Sequence, residues 1–214
     1  MNHYYMNNTD LKSEPKEIKA VLCGRNFSFV TDNGVFSKKG IDYGSKALIK
    51  AMEETFNNES MNGKRILDVG CGYGPIGIVL GTLYTKLRID MVDINDRAIE
   101  LAKINIKLNN ISDVSIFKSN LYENVTDKYS IIISNPPIRA GKHIVHAIIE
   151  NAQEQLNDLG ELWIVIQKKQ GAPSAKEKIM KIFGNAEVVK RDKGYFIIRG
   201  IKNTWYKMRL FILI

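Results

Sequence analysis

The feature that most restricts how this chain can fold is a change of rhythm after Asn62-Gly63. From there, short apolar runs alternate with stretches whose apolar residues recur at helical spacing. The strand-like runs are Arg65–Val69, Arg88–Val92, Val114–Phe117, Tyr129–Ser134 and Glu161–Ile166. The helical stretches run from a glycine cluster to about Tyr84, from Asp96 to Leu108, near 142–156 and near 174–183. Two further strands, 186–190 and 194–199, flank a turn around Asp192-Lys193-Gly194. This alternation predicts an α/β fold: a doubly wound, Rossmann-like, mostly parallel sheet of about seven strands with helices on both faces. Right-handed crossovers put the ligand site at the carboxyl ends of the strands. Tyr129–Ser134 is apolar enough to be buried on both faces. The closing hairpin cannot be parallel throughout, so an antiparallel edge strand is expected.

Upstream, residues 1–17 are polar, contain Pro15 and read as a flexible arm. Strands 18–22 and 26–31 flank Gly24-Arg25. Asp32-Asn33-Gly34 is a turn signal, and a helix is predicted over 43–56, with Leu48, Ile49, Met52 and Phe56 on one side. The expected organisation is one domain over 18–201. It comprises a small β/helix extension (18–62) and a catalytic core (63–201), and the tail 202–214 has no assignable element. The start of the chain lacks an apolar h-region, and no apolar run approaches the ~18 residues of a membrane span. Two distant cysteines, Cys23 and Cys71, are too few for a disulfide framework. The expected compartment is therefore a reducing cytoplasm.

The loop Asp68-Val-Gly70-Cys-Gly72-Tyr-Gly74-Pro-Ile-Gly77 leaves the first core strand and opens a helix. Its glycines allow a tight turn and close backbone approach to a ligand. The helix N-terminus presents free N–H groups. Gly72 to Gly77 literally match G-x-G-x-x-G, the dinucleotide fingerprint, so a nicotinamide-dependent oxidoreductase is one reading. Asp68 points elsewhere, because an acid at that strand end suits an amino-acid ammonium group. Asp93 ends the second core strand, 21 residues after Gly72, a spacing at which a carboxylate reaches ribose hydroxyls. Together the two acids suit an adenosyl-amino acid.

Asn135-Pro136-Pro137-Ile138 follows the buried strand directly. Consecutive prolines make a rigid turn and cannot extend a ladder. The Asn135 side-chain oxygen and the Pro136 carbonyl become two fixed acceptors, suited to orienting an –NH2 group. A conjugated amine is a poor nucleophile. Orientation and acceptor dipoles that favour the developing positive charge are the available catalysis. Taken alone, the same residues are also a simple strand-ending turn.

These two motifs resemble the class I S-adenosylmethionine-dependent methyltransferases that modify exocyclic nitrogens. With Gly34-Val-Phe-Ser-Lys-Lys-Gly-Ile-Asp-Tyr-Gly-Ser45, Arg139-Ala-Gly-Lys142 and the run Gly160 to Gly171, the chain is similar to the methyltransferase small domain family over about residues 20–200. That family includes bacterial small-subunit ribosomal RNA guanine-N2 methyltransferases. The resemblance implies S-adenosylmethionine as cofactor, with Asp68, Gly70 and Gly72 at its methionine end, Asp93 at the ribose and Asn120 near the adenine. Cys71, Tyr73, Gly74, Ile94, Leu121 and Asn135 complete the implied cofactor contacts. Asn135, Pro136 and Pro137 are the implied catalytic clamp, with direct in-line transfer and neither metal nor covalent intermediate. Ile138 stands where many relatives carry an aromatic ring. Phe36 and Tyr43 are candidates to stack on the acceptor in its stead, or are plain core. The substrate side implied is Phe36, Tyr43, Ile138, Arg139 and Lys142. The likeness favours guanine N2 in ribosomal RNA as the acceptor, with a protein glutamine amide or an adenine or cytosine amine as alternatives. A noncatalytic RNA-binding module on the same fold is a further one.

Charge bears on the partner. Residues 1–159 hold 19 basic and 19 acidic groups, whereas 160–214 hold 12 and 4, which is the whole net charge of +8. A basic region this concentrated suits an anionic partner such as RNA. Lys168, Lys169, Lys176 and Lys178 form an RNA-facing rim or a solvated surface, and Arg139 and Lys142 contact phosphate or are solvated too. His143 and His146 lie three apart but have no third ligand in view, so no metal site is expected. Cys71 reads as small-residue packing in its loop rather than as a nucleophile.

Overall fold

The computed structural model describes residues 11–137 and 141–203. A two-stranded antiparallel ribbon comes first, β1 (Lys16–Leu22) and β2 (Arg25–Thr31). Two helices follow, α1 (Tyr43–Thr55) and the short α2 (Asn58–Met61). The core then runs β3 (Arg65–Val69), α3 (Pro75–Leu83), β4 (Arg88–Asp93), α4 (Asp96–Leu108), β5 (Val114–Lys118), β6 (Tyr129–Ser134), α5 (Lys142–Gln155) and β7 (Leu156–Gln167). It closes with α6 (Ala172–Phe183), β8 (Glu187–Asp192) and β9 (Tyr195–Ile201). The seven core strands form one sheet in the order β5-β4-β3-β6-β7-β9-β8. The order reverses between β3 and β6, which pair in parallel, so a crevice opens there beyond their carboxyl ends.

Alternation along the central strands explains the two-sided core. On β6, Ile131 and Ile133 join the cluster under α1, α3 and α4, while Ile132 joins the cluster under α5 and α6. On β3, Ile66 faces the first layer and Leu67 and Val69 the second. Asp90 of β4 is one of the buried carboxylates of these strands. It accepts from Arg65 Nε at 2.8 Å, Tyr129 Oη at 2.8 Å and Ser115 Oγ, so its charge is paired and hydrogen-bonded as burial requires.

The helices begin where the sequence supplies a cap. Asp42 caps α1 by accepting from Ser45 N, and Asn95 caps α4 by accepting from Arg97 N, each worth about 1 kcal/mol. Gly74, at φ +94°, enters α3 in a conformation that leaves Pro75 at the first turn. Gly77 sits where a Cβ would come within 2.5 Å of Met91 Sδ, which is how closely α3 lies on β4.

Four expectations change. The reversed strand is β9, and it lies inside the sheet between β7 and β8 rather than at the edge. Strand β7 is twice the predicted length, because α5 runs straight into it. Residues 157–160 then bulge out between the Tyr129–Leu156 and Ile131–Glu161 pairs. The arm is not loose over 11–15. Asp32 accepts from Ser13 Oγ at 2.7 Å and Glu14 N at 2.6 Å, Arg97 donates to Leu11 O at 2.7 Å, and β1 starts at Lys16. Helix α2 was not foreseen; Asn57 and Ser60 cap it reciprocally. Lys202 extends the β7–β9 ladder by exchanging bonds with Leu159 and Gly160, and residues 204–214 of the expected tail lie outside the described residues. Among the described residues no helix is long and apolar enough to cross a membrane.

Candidate active site

The glycine loop is tied to the neighbouring strand end. Gly70 N and Cys71 N both donate to Val92 O, at 2.9 and 3.0 Å, and Gly72 N donates to Asp93 Oδ2 at 2.8 Å. Asp93 Oδ1 accepts from Asn95 N at 2.9 Å. With Ile94 N–H as a third donor, the carboxylate still keeps acceptor capacity for a further one. Burial pushes the Asp93 carboxyl above its ordinary value, against the pull of the Asn95, Gly72 and Ile94 N–H groups. A Cβ on Gly70 (φ +73°) or Gly72 (φ +59°) would meet nothing within 4 Å, so bare backbone borders open space at both.

That space is a cleft open to solvent. Gly70, Cys71, Gly72, Tyr73, Asp93 and Ile94 line one end, and Asn120 and Leu121 line it beyond β5. Phe36, Asn135 and Pro137 border it as well. Gly74 is the hinge into α3 and lies outside this lining. The Cys71 thiol is buried and burial raises its pKa well above normal, with Asp93 and Asp68 adding to the effect, so it stays a neutral packing group.

Asp68 is fully buried and does not line the cleft. Its Oδ2 accepts from Gly77 N at 3.2 Å, and its Oδ1 has no partner. Burial pushes its carboxyl up to about 7; the Gly77 N–H opposes this and the Asp93 charge adds to it. The position expected to meet a ligand ammonium is thus a support beneath the loop, with one oxygen held in reserve. Tyr73 Oη is the other buried polar atom without a partner among the described residues. Bare backbone beside open space and spare acceptor capacity on Asp93 together fit the adenosyl part of an adenosyl-amino acid.

Asn135 begins the turn after β6, which Ser134 Oγ anchors to Val69 O at 2.8 Å. The Asn135 amide donates through Nδ2 to Asp42 Oδ1 at 3.0 Å and to Ser45 Oγ at 2.9 Å. Asn135 also borders a second cleft of about 580 Å3 with Pro136, Lys142, His146, Gln167 and Tyr195. The one amide therefore separates two hollows. His146 Nε2 lies 3.2 Å from Ser174 Oγ. Among the described residues no cluster of His, Cys, Asp or Glu could hold a metal.

Tyr43 is not at either cleft. Its hydroxyl donates to Asp192 Oδ2 at 2.7 Å, its ring packs 5.6 Å from Tyr195, and Lys193 sits over its face. It fastens α1 to the β8–β9 hairpin, which removes it as a stacking candidate and leaves Phe36. Ile138 and Arg139 lie outside the described residues. Of the basic rim, Lys168, Lys169 and Lys176 are exposed, while Lys178 is paired with Glu150. Asp42, Ser45 and Tyr195 are the site residues that sequence reasoning missed. The available signal was Asp42-Tyr-Gly-Ser45, an N-cap followed at the third position by a hydroxyl.

Comparison with known proteins gives a family and a fold. The methyltransferase small domain family matches residues 26–199. A Bacillus subtilis (strain 168) protein, YbxB, is 48% identical over 202 residues, 94% of this chain and 98% of its own. The ribosomal RNA small subunit methyltransferase C of Erwinia tasmaniensis is 32% identical over 174 residues, 79% of this chain but 48% of its own. The chain thus spans nearly all of YbxB and about half of the methyltransferase C relative. In fold it is similar to a Thermus thermophilus 16S rRNA N2 G1207 methyltransferase (RsmC), solved with AdoMet and guanosine. The TM-score is 0.81 at 22% identity, covering 90% of this chain and 52% of that one. The chain belongs to the methyltransferase small domain family.

Proposed function

We propose that this chain methylates an exocyclic amine of RNA in the cytoplasm, and that the amine is guanine N2 in small-subunit ribosomal RNA. The observation that carries the reading is the place of Asn135, held between the cleft over the glycine loop and a second cleft bordered by polar groups. When bound, S-adenosylmethionine supplies an electrophilic methyl group. Asp93 accepts from hydroxyls at one end of its cleft, and Asn135 Oδ1 accepts from the target amine at the other. Fixing the amine in line with the methyl group, and meeting its developing positive charge with an acceptor dipole, is the chain's own contribution. Lys142 beside the second cleft and the exposed Lys168, Lys169 and Lys176 supply counter-charge for phosphates. A target base reaches such a site only when single-stranded or flipped out of a helix. The methyltransferase C relatives, of which this chain spans about half, support the acceptor.

The test is transfer of labelled methyl from S-adenosylmethionine to small ribosomal subunits from a strain lacking this protein. Nucleoside mass spectrometry then assigns the product. N2-methylguanosine is expected; a methylated glutamine, adenine or cytosine as the only product would overturn the acceptor assignment. Asn135→Ala should lower the rate by about 10²–10³-fold.

A further inference from the structure

The side-chain amide of Asn135 has two ends, and only one suits an amine. If Nδ2 faced the acceptor, donor would meet donor. What sets the orientation lies 93 residues earlier in the chain. We infer that Asp42 is a positioning residue for methyl transfer: its carboxylate holds the Asn135 Nδ2 and so keeps Oδ1 free for the acceptor amine. This rests on the proposed amine chemistry of the site.

The geometry is specific. Asp42 Oδ1 accepts from Asn135 Nδ2 at 3.0 Å and from Ser45 N at 3.2 Å, while Asp42 Oδ2 accepts from Ser45 Oγ at 2.5 Å. Because Ser45 spends its hydroxyl proton on Asp42, the same oxygen is left to accept from Asn135 Nδ2, at 2.9 Å. Both protons of the Asn135 amide thus meet acceptors. Rotating the amide by half a turn would set its oxygen against a carboxylate, which has no proton to give. No described residue donates to Asn135 Oδ1. A charged acceptor on one end of an amide also strengthens the oxygen at the other end as an acceptor. Gly44 makes the approach possible: a Cβ there would lie 3.0 Å from Asp42 Oδ1, 3.2 Å from Asn135 Oδ1 and 3.1 Å from Tyr195 Cε1. Asn135 Oδ1 and the Tyr195 ring thus both lie close to Gly44, and Asn135 and Tyr195 both border the second cleft.

Asp42 also caps α1, so the test must separate capping from positioning. Asp42→Ser keeps a capping oxygen but is too short to reach Asn135. Its unfolding midpoint should stay near wild type. Its kcat on undermethylated small ribosomal subunits should fall at least about tenfold, with KM changed less than about twofold. Reversing the pair tests orientation directly. Asn135→Asp alone sets two carboxylates against each other and should be nearly inactive. Asp42→Asn combined with Asn135→Asp restores one donor facing one carboxylate, and should recover at least about tenfold in kcat over Asn135→Asp. Independently of any acceptor, the Asn135 side-chain NH2 signals of 15N-labelled protein should exchange with solvent at least about tenfold faster in Asp42→Ser. Wild-type kcat in Asp42→Ser, no recovery in the reversed pair, or unchanged amide exchange would each overturn the inference. If wild-type protein itself leaves the subunits unlabelled, the acceptor assignment fails, and the amide exchange alone decides the role of Asp42.

Discussion

Replacing Asp68 by Asn should change how stability depends on pH, and the size follows from the burial of that one carboxyl. Its pKa rises from the ordinary 3.8 to about 7, first through burial, with Gly77 N as its single partner. A folded-state pKa above the unfolded one means that the folded protein binds the extra proton. Stability is then greatest below about pH 4 and is lost as pH rises toward 7 and beyond. At about 1.4 kcal/mol per pH unit across that interval, the full effect is about 4 kcal/mol. About 3 kcal/mol of it falls between pH 5 and pH 8. Asn has nearly the same shape, still accepts from Gly77 N and does not titrate. The stability of Asp68→Asn relative to wild type should therefore improve by about 3 kcal/mol between pH 5 and pH 8, read from urea unfolding at four pH values without ligand. Parallel stability curves for the two proteins would refute the reasoning. They would mean that water or loop movement solvates the carboxylate. An improvement confined below pH 4 would refute it as well.

Further outcomes test other parts of the molecule. Asn105 is fully buried and its amide bridges Val30 N, Val30 O and Tyr73 O, so Asn105→Ala should cost about 2–4 kcal/mol in unfolding experiments and weaken S-adenosylhomocysteine binding by calorimetry. Asp90→Ala leaves the Tyr129 hydroxyl without its acceptor, while Arg65 keeps Asp127, and should cost about 1–3 kcal/mol in the same assay. Gly77→Ala forces a methyl against Met91 and should cost about 1–3 kcal/mol while displacing the loop that Asp68 supports. Phe36→Ala should raise KM for the RNA acceptor or the cofactor, whereas Tyr43→Phe, which loses only the bond to Asp192, should leave both unchanged.

Much of the layered core was legible because burial on two faces writes an unambiguous pattern. Tyr129–Ser134 and the loop from Asp68 to Gly77 could fit little else than a central strand and a strand-to-helix turn. What escaped depended on contacts far apart in sequence. Nothing local marks Asp42 as the partner of Asn135, since its pattern is fully explained by capping α1. Tyr43 looked free to stack because its partners, Asp192 and Tyr195, come from the last hairpin. Asp68 was read as facing a ligand because it ends at the right strand edge, but periodicity does not say whether a side chain at a strand end points outward or under the loop. The insertion of β9 beside β7 was hidden for a similar reason. A hairpin reads the same whichever of its strands pairs with the sheet.

That reversed strand ties the outer flank of the sheet to the site. Because β9 runs opposite to β7, its first residue, Tyr195, and the tip at Lys193-Gly194 arrive at the working rim rather than at the far end of the sheet. The tip joins two strands on the outer flank and carries no part of the nucleoside cradle. It is nonetheless fastened to α1 through Tyr43, which donates to Asp192 and lies under Lys193. A change at this outer tip is therefore felt at the start of α1, where Asp42 holds Asn135.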